Sequence, residues 1–275
     1  MQILYTLRRS LLPREVVAPD SLAIAARYWP AAPELEIGGD FYDFFPLGDD
    51  RWGVVIGDVC GKGIEAAALT GLTRHTVRAA AHHVTSPVEV LRWSHDAIRE
   101  YDGDTYCTLC FAFVTVRPGR VVLEVALGGH PPPLVCRVDG HVEEAGRTGT
   151  VLGLIEPQLS ESEISLGPGD TIVLYTDGIT DAQGDEAIPV ARLAEIVSAH
   201  RTSQPDEIAA AIEEAIHRAR PTGSSDDTAL LVLQVSPSMA RSPAEEARRA
   251  EPSEPISATS ATTSATTGAT TAPGS

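Results

Sequence analysis

Tyr106-Cys107-Thr108-Leu109-Cys110-Phe111-Ala112-Phe113-Val114 is an apolar run that reads as a buried strand. The strand is expected over roughly 106–116, with a second over 120–127 and Pro118-Gly119 between them as a hairpin signal. Cys107 and Cys110 have the spacing of half a zinc site, but no second CxxC or HxxxH completes it. On the N-terminal side, Arg51-Trp52-Gly53-Val54-Val55-Ile56 is a short strand stopped by Gly57-Asp58. Ala and Leu at helical spacing then predict a helix from Gly63 to about His83, and Pro87 opens another to about Tyr101. On the C-terminal side a strand is expected near 134–138, and Gly167-Pro168-Gly169-Asp170 turns the chain into a strand over 171–176. Helices over about 189–200 and 205–219 precede a closing strand at 228–235. Hairpins in the middle and helices in pairs point to an α+β fold of antiparallel sheets covered by helices.

With 275 residues the chain is one large domain or two small ones on length alone. Lys+Arg is 21 and Asp+Glu is 38, a formal charge of −17, so nucleic acid and anionic membrane are poor partners. Lys62 is the only lysine. A surplus of carboxylates suits hard divalent cations, although a solvated acidic surface is the commoner reason for one. No apolar stretch approaches a membrane span, and Arg8 and Arg9 interrupt the apolar start where a secretory signal would not allow them. A cytoplasmic protein is expected. Residues 237–275 are rich in Ser, Thr, Ala and Pro, and such composition predicts a disordered tail. Ile3, Leu4, Leu7, Leu11 and Leu12 form a stripe, so residues 1–13 are read as a linker helix. That helix would join two chains as a homodimer, join the chain to a regulator, or dock on its own domain.

Three strands end on aspartate: Val55-Ile56-Gly57-Asp58, Leu174-Tyr175-Thr176-Asp177-Gly178, and Asp226-Asp227 opening the last strand. Gly38-Gly39-Asp40-Phe41-Tyr42-Asp43 is a fourth candidate. Aspartates held at strand ends by a rigid sheet would form an oxygen cage for Mg²⁺ or Mn²⁺ if they converged. Asp-Gly at a strand end is equally ordinary turn chemistry, and these gaps are too long for spacing to prove convergence.

Together, Glu36-Ile37-Gly38-Gly39-Asp40-Phe41-Tyr42-Asp43, Gly57-Asp58-Val59-Cys60-Gly61-Lys62-Gly63, Gly128-Gly129-His130-Pro131-Pro132-Pro133, Leu174-Tyr175-Thr176-Asp177-Gly178 and Asp226-Asp227-Thr228 resemble the PPM-type (protein phosphatase 2C-like) metal-dependent protein phosphatases. The subfamily they resemble is that of SpoIIE and RsbU. The resemblance implies an α-β-β-α sandwich of two antiparallel sheets flanked by helices, with a phosphatase domain over 14–236. It implies two Mn²⁺ or Mg²⁺ ions bridged by Asp58, one of them bound by the carbonyl of Val59. Asp177 and Asp226 would complete the first ion's shell, Asp40 would serve the second, and Asp181 matches a position that binds a third ion in parts of the family. Catalysis would then fall to Asp58 together with a metal-activated water, with no protein nucleophile. The general acid is unassigned, because Cys60 stands where some relatives carry histidine. The implied substrate is a phosphorylated STAS-domain anti-sigma antagonist, making the chain a phosphoserine/phosphothreonine phosphatase in sigma-factor regulation. A non-catalytic binding module and a phosphatase of small metabolites are the alternatives.

Other motifs lead nowhere. Gly57 to Gly63 is one residue short of a phosphate-binding loop and has Gly63 where Ser or Thr is needed. Ser94-His95-Asp96 lies on a helix, where neighbours point apart and cannot form a triad. His130, among prolines, is expected to be a structural loop histidine.

Overall fold

A computed structural model describes residues 11–13, 16–30, 38–48, 50–101, 104–180, 187–220 and 227–239. Eleven strands and four α-helices are seen among them. The strands are β1 (Leu22–Trp29), β2 (Asp40–Gly48), β3 (Arg51–Val59), β4 (Cys107–Arg117), β5 (Arg120–Gly128), β6 (Leu134–Cys136), β7 (Val142–Glu144), β8 (Thr148–Gly149), β9 (Glu161–Leu166), β10 (Thr171–Tyr175) and β11 (Thr228–Val235). The helices are α1 (Ile64–Ala81), α2 (Pro87–Tyr101), α3 (Val190–Ala199) and α4 (Pro205–Ala219). One sheet runs β1-β11-β10-β6-β7; the other runs β2-β3-β4-β5-β8, with β9 also paired to β5. All pairings are antiparallel except the short β5–β8 contact.

Period-two alternation sorts each strand between two packing layers. Val54 and Ile56 of β3, Cys110 and Ala112 of β4, Ile172 and Leu174 of β10, and Leu231 and Leu233 of β11 fill the space between the sheets. Their neighbours point outward. Phe41, Val55, Phe111 and Phe113 pack under α1 and α2, while Val173, Tyr175, Leu230 and Val232 pack under α3 and α4. Helices therefore cover both outer faces, and the expected α-β-β-α sandwich is what the chain forms. The β4–β5 hairpin turns at Gly119, whose φ of 74° is one that glycine adopts without cost.

The outward layer beneath α1 holds a buried ion pair. Asp43 of β2 is fully enclosed, and its Oδ2 accepts from Arg74 Nε at 2.9 Å and Arg78 Nη1 at 2.7 Å, both on α1. Arg78 also lies over the Phe45 ring, 4.5 Å from its centroid. Asp43 thus ties α1 to the strand that carries Asp40 three residues earlier.

Leu11 is buried beside Gly71 of α1, and Leu12 packs against the layer between the sheets. The rest of the expected N-terminal helix lies outside the described residues. After β11 the chain turns through Pro237–Met239, where Met239 also packs against the inter-sheet layer. The remainder of the expected tail lies outside the described residues. No helix among the described residues is long and apolar enough to cross a membrane.

Candidate metal centre at the mouth of the sandwich

The apolar rows between the sheets end in polar residues at one mouth, and the register places them there. Asp40 of β2 is the cross-strand partner of Asp58 of β3, and Asp58 is the partner of Thr108 of β4. Partners in register share a face, so these three side chains continue the inward rows of Tyr42, Ile56 and Cys110. In the other sheet the inward row Ile172, Leu174 continues to Thr176, and the row Leu233, Leu231, Ala229 continues to Asp227. The two halves meet directly: Thr176 Oγ1 donates to Asp40 Oδ2 at 2.6 Å.

Two glycines let these groups approach. A Cβ on Gly39 would stand 2.0 Å from the Val59 carbonyl oxygen and 2.7 Å from Asp58 Oδ1, and one on Gly38 would collide with the Asp227 carboxylate. Only glycine fits against a backbone oxygen this closely. Gly39→Ala is therefore expected to cost about 1–3 kcal/mol in denaturant unfolding and to push the Val59 carbonyl out of place. Unfolding midpoints unchanged from wild type would contradict that packing.

Electrostatics at the mouth is strained by like charge. Burial first, then the charge of Asp58, holds the Asp40 carboxyl well above its ordinary range, and Asp227 adds to the rise; the Thr176 hydroxyl partly offsets it. Asp40 is 5% exposed, so its charge has little water to stabilise it. Tyr106, at the rim, is raised by a hydrogen bond with Cys60 and by the Cys60 charge, with burial, Asp58 and Asp177 contributing less. Asp177 is thus within electrostatic reach of the same rim, at the start of a 3-10 turn, Asp177–Ile179.

Of the expected metal residues, Asp40, Asp58 and the Val59 carbonyl are brought together, and Asp177 is brought to the same rim. Asp226 and Asp181 lie outside the described residues. Among the described residues no group of three Asp, Glu, His or Cys side chains meets the geometry of a cation's shell. The donor set nevertheless fits a hard divalent cation. Mutually repelling carboxylates, Asp40 among them buried, with a backbone oxygen alongside, are what such an ion would neutralise. Asp227 was not among the expected ligands, although the alternation Ala229-Leu231-Leu233 points back to it.

His130 does have a structural partner. Its Nδ1 lies 2.9 Å from Thr108 Oγ1, which stands beside Asp58 in the register. Burial drives the imidazole down to about 3, with Tyr175 offsetting part of the fall. Unfolded, a histidine titrates near 6.5, so below that pH the unfolded chain binds a proton that the folded chain refuses. Its contribution to stability is present above about pH 6.5 and is lost as pH falls toward 3. Urea unfolding at pH 4 and pH 7 is expected to differ less in His130→Asn than in wild type; an equal difference would remove His130 from the account.

Two antiparallel sheets with paired helices outside and acids at one mouth define a PPM, or PP2C-type, phosphatase domain. The chain belongs to the SpoIIE family: the family model described as Stage II sporulation protein E matches residues 48–236. It is similar to Protein IcfG of Synechocystis sp., 28% identical over 180 residues that cover 55% of this chain and 28% of that one. It is similar also to the phosphoserine phosphatase RsbP of Bacillus subtilis, 25% identical over 232 residues covering 80% of this chain and 54% of RsbP. The chain therefore spans about half, or less, of the length of these relatives. Among solved structures, the RsbU and RsbW domains of Rv1364c from Mycobacterium tuberculosis match with a TM-score of 0.69 at 28% identity, covering 78% of this chain and 60% of that one.

Proposed function

We propose that this chain is a Mn²⁺- or Mg²⁺-dependent phosphoserine/phosphothreonine protein phosphatase, cytoplasmic, whose substrate is a phosphorylated STAS-domain anti-sigma antagonist. The observation that carries the reading is the Asp40–Asp58 register pair, Asp40 buried and Asp58 half-buried, beside the Val59 carbonyl at the mouth of a PP2C-type sandwich. Names of relatives support the reaction class, since RsbP and RsbU are both phosphoserine phosphatases.

When bound, two divalent cations make a water nucleophilic near neutral pH and neutralise the phosphoryl oxygens during in-line attack. The chain's own residues supply the rest. Asp58 sits at the centre of the acidic row and would be shared by both ions, with Val59 offering its carbonyl and Asp177 and Asp226 completing one side. Asp40 serves the other side, oriented by the Thr176 hydroxyl, and Asp181 is the candidate for a third ion. Thr108, held by His130 Nδ1, stands next to Asp58 in the row and would steady its carboxylate from that side. The N-terminal segment is assigned to a homodimer contact or a regulator, and residues 237–275 to a tail dispensable for turnover of an aryl phosphate.

The test is phosphate release from an aryl phosphate and from a panel of serine-phosphorylated STAS proteins, with and without Mn²⁺. Metal-dependent release from both is expected. Release from neither would leave a binding module; release from the aryl phosphate alone, with nucleotides competing where phosphopeptides do not, would leave a metabolite phosphatase.

A further inference from the structure

Arg220 closes α4 and is almost wholly buried, 3% exposed. Its backbone N–H donates to the Ile216 carbonyl, so its side chain leaves the helix end at a fixed point. From there the guanidinium forks: Nη1 donates to the Gly178 carbonyl at 2.6 Å, and Nη2 to the Ile179 carbonyl at 2.9 Å. Those carbonyls belong to the turn that begins at Asp177. The other side of the same turn is held equally hard. A Cβ on Gly178 would stand 2.0 Å from the Asp227 carbonyl oxygen and 2.9 Å from Thr228 Oγ1. The turn is therefore clamped between a buried cation and the start of β11.

Burying a guanidinium costs several kcal/mol unless its charge and hydrogen bonds are satisfied, and an apolar residue of similar size would be the cheaper way to close a helix. What arginine adds here is a buried cation whose donors are spent on the carbonyls of the Asp177 turn. Its planar fork, spanning two successive carbonyls, also sets the angle of that turn.

We propose that Arg220 is a positioning residue for the acidic site: it holds the turn, whose Gly178 abuts the Asp227 carbonyl at the start of β11, at the height and angle from which Asp177 meets the divalent cation. The inference rests on the metal-dependent reading above. Outer partners of metal ligands change metal affinity by about 10–100-fold when removed. The full chain carrying Arg220→Met, Arg220→Gln or Arg220→Lys is titrated with Mn²⁺, following the rise of melting temperature as well as aryl phosphate turnover. For Arg220→Met, half-saturation by Mn²⁺ is expected at a concentration about tenfold higher or more by both readouts, with the KM for aryl phosphate at saturating Mn²⁺ unchanged within about twofold. Arg220→Lys, which keeps the charge but cannot fork, should fall between. A lower melting temperature with wild-type half-saturation in every folded variant would make Arg220 a purely structural residue and overturn the proposal. Should Arg220→Met not fold, half-saturation in Arg220→Lys and Arg220→Gln decides in the same way. A wild-type chain whose melting temperature ignores Mn²⁺ would instead bring down the functional reading itself.

Discussion

Asp58→Asn is expected to lower Mn²⁺-dependent hydrolysis of an aryl phosphate by about a thousandfold or more, equivalent to about 4 kcal/mol of transition-state stabilisation. The substitution changes one oxygen to an amide nitrogen at constant shape, so the loss reports charge and not packing. Asp58 stands between Asp40 and Thr108 in the cross-strand row, the central position of the acidic mouth. Losing it removes the carboxylate that both cations would share, whereas Asp181→Asn should cost far less. Stability should move the other way. Without metal, Asp40 is raised in part by the charge of Asp58, and neutralising that charge relieves the repulsion. The melting temperature of metal-free Asp58→Asn is therefore expected to equal or exceed that of wild type. Turnover above about a tenth of wild type would refute the central role of this carboxylate.

The second large effect concerns folding. Asp43→Ala is expected to destabilise the metal-free protein by about 3–5 kcal/mol, because it strips the shared carboxylate from two guanidiniums and leaves their charges in a largely dry layer. Arg74 is nearly as buried as Asp43 itself, while Arg78 is partly exposed, so most of the cost should come from Arg74. For a domain of this size that is a fall in melting temperature of roughly 6–20 °C. The double variant Asp43→Ala with Arg74→Met should recover part of the loss, since it removes the stranded charge together with its partner. A single-variant cost below about 1 kcal/mol by urea denaturation would mean that the network is looser than its 2.7 and 2.9 Å contacts indicate.

The elements read most directly from the sequence were those whose two faces are both apolar or whose helical stripe is long. The β4–β5 hairpin, β10, β11 and all four helices fall within a few residues of their expected bounds. β1, β2 and β9 went unread for physical reasons. β2 carries Asp40 on its inward face and Asp43 on its outward face, and a charge on each face disguises it as a loop. β1 is an edge strand, Leu22-Ala23-Ile24-Ala25-Ala26-Arg27-Tyr28-Trp29, with little β-branched character and mostly half-buried residues. β9 alternates acids with apolar residues only weakly. At the site, the family resemblance supplied Asp40, Asp58 and Asp177, but the contact between Thr176 and Asp40 joins residues 136 positions apart, and no spacing predicts it. Arg220 was one arginine among twenty until the fold closed around it.

The cysteines carry a practical consequence. None of the four cysteines is in a disulfide, and three of them are buried in strands. Burial pushes Cys110 up to about 12 and raises Cys107 and Cys136 as well, so these sulfurs stay protonated and out of reach. Cys60 alone is partly exposed, two residues from Asp58 and hydrogen-bonded with Tyr106 at the rim. A maleimide fluorophore added to the native chain should therefore attach at one place, without any engineered cysteine, and its emission would report in real time whatever reaches the mouth, added Mn²⁺ first.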